Sequence, residues 1–77
     1  MRTATLQFQD LSGNWMTVST NVDANDTVIN LRLNELQKRY GDVDSALVVR
    51  IIGLDAVSNN NLRRRLHGKK IELHVVK

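Results

Sequence analysis

The chain has 77 residues, a formal net charge of +3, and neither cysteine nor proline. That length suits a single domain spanning residues 1–77, because two domains would leave neither with a core; the missing thiols exclude a disulfide framework and any thiolate site. The N-terminal residues alternate instead of forming the apolar run of a signal peptide, and no stretch reaches the roughly 20 apolar residues of a membrane span, so a cytoplasmic domain without membrane contact is expected.

Thr3 to Gln9 alternates with period two, setting Ala4, Leu6 and Phe8 on one face and Thr3, Thr5, Gln7 and Gln9 on the other, the pattern of a half-buried strand. Asp10-Leu11-Ser12-Gly13-Asn14 is a turn cluster in which Gly13 can take a positive φ. Trp15 to Val22 alternates again with Met16, Val18 and Val22 inward and Trp15 outward, so the first third of the chain is predicted to be a β-hairpin. N-cap formers at Asp23 to Asp26 precede a helix over Thr27 to Tyr40. Its Ile29, Leu33, Leu36 and Tyr40 fall within about 60° of one another on the helical wheel, while Leu31 lies on the polar side. Gly41 stands where a left-handed residue commonly ends a helix.

Ala46 to Ile52 is apolar apart from Arg50, which suggests a central strand with Leu47, Val49 and Ile51 under the helix. Ser58 is a candidate cap for a short helical turn through His67, stopped by Gly68, with Leu62 and Leu66 buried and three arginines turned outward. Lys70 to Lys77 alternates, with Ile71, Leu73 and Val75 inward. The order β-β-α-β-short helix-β predicts an α+β fold: a mixed four-strand sheet with one helix packed on one face.

Chemistry-bearing groups are few. His67 and His74 are the two histidines, no glycine-rich loop precedes a helix, and the serines at 45 and 58 have no spacing that supports a triad. Glu72 with His74, and Asp42 with Asp44, fall short of the four ligands of structural zinc or the six of calcium. No enzyme activity, metal or cofactor is expected. The basic residues are unevenly placed: Arg63, Arg64, Arg65, Lys69 and Lys70 form one cluster, leaving six basic residues against eight acidic ones elsewhere. Such a cluster can grip phosphates or an acidic partner, or simply be solvated.

The turn Leu11-Ser12-Gly13, the helix start Asp26-Thr27-Val28 with Asn30-Leu31, the strand Arg50-Ile51-Ile52 and the closing Leu73-His74-Val75-Val76-Lys77 resemble, in this order, segments of the ubiquitin-like family. The resemblance implies a β-grasp fold. The sequence stops at Lys77 without a Gly-Gly tail, so modifier chemistry is not implied. A weaker resemblance, carried by Gly13-Asn14-Trp15, one helix and a basic strand, is to small phage and prophage accessory proteins, and would imply docking on a host complex. In the ubiquitin-like family partners grip the sheet face opposite the helix, where the matching positions here are Leu11, Ile52, His74 and Val76.

Period two independently places Arg50, Ile52, His74 and Val76 on that face, an apolar patch with Arg50 and Lys77 at its rim. The function expected is therefore a protein-interaction module using Leu11, Arg50, Ile52, His74 and Val76, with Trp15 as a further hot-spot candidate. The same face could instead be a homodimer contact. Nucleic-acid binding through Arg63 to Lys70 is the alternative.

Overall fold

The structure, a computed structural model, describes residues 2–41 and 44–76, with Val75 represented by its backbone. Alternating residues build the strands β1 (Thr3–Gln9) and β2 (Trp15–Asp23), followed by the helix α1 (Asp26–Tyr40), β3 (Leu47–Ile52), a second helix α2 (Ala56–Arg65) and β4 (Ile71–Val76). Among the described residues the strands form one sheet in the order β2-β1-β3-β4. β1 is antiparallel to both β2 and β3, whereas β3 and β4 run parallel. The architecture is the expected α+β one, β-grasp-like in outline, with the parallel pair joined through α2.

Asp10 closes the hairpin: its Oδ1 accepts from the Ser12 and Asn14 N–H groups, both at 2.9 Å, and Gly13 takes φ +87°. β2 then departs from simple alternation. Its register against β1 slips twice, between Ala4 and Leu6 and between Leu6 and Gln7, and Asn21 has φ +55°. Two extra residues restore the original parity, so Val22 is still buried while the strand bends away at its outer side. Met16, expected in the core, is 47 % exposed at this edge strand.

One face of the sheet carries the core. Ala4, Leu6, Val22, Leu47, Val49 and Ile51 meet Ile29 and Leu33 of α1 and Leu62 of α2, with Leu66 following it. Phe8, Val18, Leu36 and Leu73 pack around this centre. The apolar stripe of α1 is as expected at Ile29 and Leu33 but opens toward its C-terminal end, where Tyr40 is half exposed and stacks on Phe8 at 4.8 Å between ring centroids. Leu31 is exposed, as its wheel position requires.

Both helix starts are capped by side chains. Asn25 Oδ1 accepts from the Thr27 N–H at 2.8 Å and begins α1 one residue earlier than expected. For α2 the cap is Asp55, not Ser58: Asp55 Oδ1 accepts from the Ser58 N–H at 2.7 Å, so the helix starts at Ala56. Either residue type can cap; Asp55 wins because its carboxylate reaches the third helical N–H and faces the positive end of the helix dipole. Gly41 is extended, with φ −71°, rather than left-handed; what demands glycine there is a close approach, since a Cβ would run into the Gln37 carbonyl oxygen. Gly53 does need its freedom, at φ +100° with the Thr3 carbonyl 2.8 Å from where a Cβ would sit.

Two tests follow from this packing and capping. Leu33→Ala, at a fully buried site, should lower the unfolding free energy in urea by about 2–5 kcal/mol, and Leu36→Ala, at a partly buried one, by less. The Asp55 carboxyl is held below its ordinary value chiefly by the Ser58 N–H it accepts from. Its contribution is therefore present above the unfolded-state carboxyl range and is lost as pH falls through the lowered folded value. Asp55→Ala should lower the urea midpoint at pH 7, and its deficit against the parent should shrink on acidification below about pH 4.

Candidate interaction face and the basic helix

The sheet face opposite the helices is built from the outward residues of all four strands. The register sets Thr17, Gln7, Arg50 and His74 in one row across the sheet, and Thr5, Ile52 and Val76 in the next toward the end of β4. Among the described residues no helix covers this side, because both helices contribute to the single core on the other.

At its middle lies a polar and aromatic cluster. Arg50 donates through Nε and Nη2 to Gln7 Oε1, at 2.8 and 2.6 Å, across the β1–β3 pair. With its guanidinium fixed in this way, Arg50 sits 4.3 Å from the centroid of the Trp15 ring, a cation–π arrangement. Trp15 starts β2, so its ring must lie across β1 to reach Arg50; its edge also meets the His74 ring at 5.9 Å. His74 Nε2 and Glu72 Oε2, two residues apart on the outer strand, are 2.9 Å from one another. The indole is thus partly covered and oriented by neighbours from β3 and β4.

The remaining candidates divide. Ile52 and Val76 are register partners on adjacent strands, Ile52 38 % exposed and Val76 half-buried, so they form a small apolar step beside the Arg50 row. Leu11 does not border them. It is fully exposed at the hairpin tip, which lies at the opposite end of the sheet, about 20 Å from Ile52 at 3.3 Å per strand residue. Lys77 and Asp42 lie outside the described residues. Trp15 joins the face more closely than its position at a strand end suggested; the shared parity of Trp15, Gln7 and Arg50 was the available signal, and the lateral reach of the indole was not readable from it.

The basic cluster is partly committed within the fold. Arg65 binds Asp26 Oδ2 at 2.9 Å and Thr27 Oγ1 at 3.3 Å, tying the end of α2 to the start of α1. Lys69 Nζ donates to Asn34 Oδ1 at 3.0 Å, and the Lys70 carbonyl accepts from Gln37 Nε2. Arg63 and Arg64 are exposed, but successive residues of a helix point about 100° apart, so the three arginines fan out and do not converge on one phosphate. Among the described residues no three His, Asp or Glu side chains are grouped as a metal would need, and no helix is long and apolar enough to cross a membrane. Compared with protein-family models, curated proteins and solved structures, the chain matches none of them.

Trp15 is the single tryptophan, so its emission reports on this cluster directly. Arg50→Ala should raise acrylamide quenching of that emission and lower stability by about 1–2 kcal/mol. Quenching identical to the parent's would mean that the guanidinium does not cover the indole in solution.

Proposed function

We propose that the chain is a small non-enzymatic protein-interaction module whose working surface is the open sheet face. The observation that carries this reading is the tryptophan laid across the sheet and held by Arg50, with Ile52 and Val76 in the next row of the sheet beyond Arg50. Tryptophan and arginine are the residue types most enriched at binding hot spots, and a hot spot works best when its side chains are already ordered before the partner arrives. Gln7 supplies that order by fixing the guanidinium from the neighbouring strand. Ile52 and Val76 add apolar area, and His74 with Glu72 forms a polar rim.

The nucleic-acid reading through Arg63 to Lys70 draws less support. Arg65 and Lys69 already bind side chains of α1, and the rings of Phe8, Tyr40 and Trp15 are engaged with one another or with Arg50 and His74 on the sheet.

The test is capture of a binding partner from nuclease-treated lysate of the source organism, followed by titration with the purified partner. Trp15→Ala and Ile52→Ala should each weaken binding by about 2 kcal/mol, close to thirtyfold, whereas Arg64→Gln should leave it intact. The unfolding free energy should change by about 1 kcal/mol or less for the partly exposed Ile52→Ala. The opposite pattern, or a capture abolished by nuclease, would move the working surface to α2.

A further inference from the structure

The two borders of the sheet are unlike. β2 carries two register slips and a positive φ at Asn21, devices that bend an edge away from intruding strands. β4 has neither. It pairs with β3 in unbroken register from Ile71 to Val76, and the chain has no proline to block its outer side.

The hydrogen-bond pattern shows which groups lie on that outer side. The Leu47 N–H donates to the Lys70 carbonyl at 2.9 Å. Backbone groups alternate in direction along a strand, so residues 72, 74 and 76 also bond toward β3, and Ile71, Leu73 and Val75 point their N–H and C=O groups outward. The Ile71 N–H turns back to the Lys69 carbonyl at 2.8 Å. The N–H groups of Leu73 and Val75 and the carbonyls of Ile71, Leu73 and Val75 remain as a ladder with no partner strand among the described residues.

We propose that this ladder is filled by a second copy of the chain, β4 pairing antiparallel with the partner's β4 about a two-fold axis at Leu73. The side chains select both the occupant and the register. Directly opposed residues share a face of the sheet, so a two-fold axis can sit at Glu72, at Leu73 or at His74. Centred on Glu72 it sets carboxylate against carboxylate, and centred on His74 it sets imidazole against imidazole. Centred on Leu73 it sets Glu72 opposite the partner's His74, and His74 opposite the partner's Glu72. Of the three, only that axis brings opposite partners together twice, and it places Leu73 opposite the partner's Leu73 in a pair that exchanges both hydrogen bonds.

Glu72 and His74 then fall at the closely spaced, non-hydrogen-bonded positions of the antiparallel pair, with Cα atoms about 4.5 Å apart. The imidazole N–H can donate to a carboxylate whether or not the ring is charged. Within one chain these two side chains are already 2.9 Å apart and both are at least half exposed, so a partner strand adds contacts without unburying either. The axis stands perpendicular to the sheet, which joins the two open faces into one surface. A short edge buries well under about 1,200 Å², so the dimer is expected to be weak, with dissociation constants in the micromolar range or above.

Sedimentation equilibrium on the full chain, up to about 1 mM, tests the proposal independently of any reading of the open face. The parent should show a monomer–dimer equilibrium. Glu72→Lys, which places cation opposite histidine, and His74→Glu, which places carboxylate opposite carboxylate, should each weaken self-association at least tenfold while keeping the parent's circular dichroism. Mixed in equal amounts, the two variants should associate with one another at least tenfold more tightly than either does with itself, because every opposed pair then carries complementary groups. A parent that is monomeric throughout, including one that instead takes up an unrelated strand-forming peptide, would overturn the proposal. So would undiminished self-association of Glu72→Lys, or a mixture that fails to restore it.

Discussion

Everything distinctive about this molecule depends on the direction in which the chain crosses its sheet. β2 and β3 point the same way and are joined by α1 over β1; β3 and β4 point the same way and are joined by α2. Both connections step across the sheet in the same sense. Parallel crossovers share one hand, since a right-twisted strand followed by a right-handed helix packs back only that way. Two crossovers of one hand and one direction must deposit their helices on one side, and the common core of Ile29, Leu33 and Leu62 against β1 and β3 meets that requirement. The bare face on the other side is a product of topology.

A sheet with one naked face has to make that face tolerable in water. The chain does so with a layer one side chain deep. Gln7 fixes Arg50, Arg50 covers part of Trp15, and His74 meets the edge of the indole. Threonine and glutamine fill most of β1 around them. Of the apolar residues that remain, Ile52 and Val76 are at the end of the sheet away from the hairpin, and the partly buried Val48 is nearer to it. The same economy governs the charges: Arg65 neutralises Asp26 where the two helices meet, which keeps the basic helix against the acidic start of the other.

What the sequence made legible follows from period. Alternation in β1 and β4 and the apolar run of β3 located the strands and the face each residue takes, and Ile29 and Leu33 located the buried stripe of α1. The two bulges of β2 were hidden because their effects on parity cancel: Val22 falls inward either way, and Met16 gives no sign that the edge has bent from cover. The cap of α2 was misplaced because Asp55 and Ser58 are both good cap residues three positions apart, and local chemistry alone does not rank them. Arg65–Asp26 and Arg50–Gln7 join residues 39 and 43 positions apart, and such pairings are products of tertiary structure that no local pattern encodes. Leu11 was misplaced for a related reason, since faces follow from parity but positions along the sheet follow from register.

The central position of β1 bears on how the chain finds its fold. Its partnership with β2 needs a short loop from Asp10 to Asn14, organised by one aspartate, and closing such a loop takes about 0.1 μs or less. Its other partnership, with β3, joins Leu6 to Ile51 and must close the whole of β2 and α1 into a loop before any contact repays the lost entropy. The hairpin can thus appear early and dissolve repeatedly, while the docking of β3 along β1 is the step that commits the chain. β4 reaches the sheet through β3, whereas α2 is tied to α1 by Arg65 and Asp26, so the β1–β3 seam, the strand pairing with the longest loop to close, weighs most on the speed of folding, and the lifetime of the folded state depends on what closes over it.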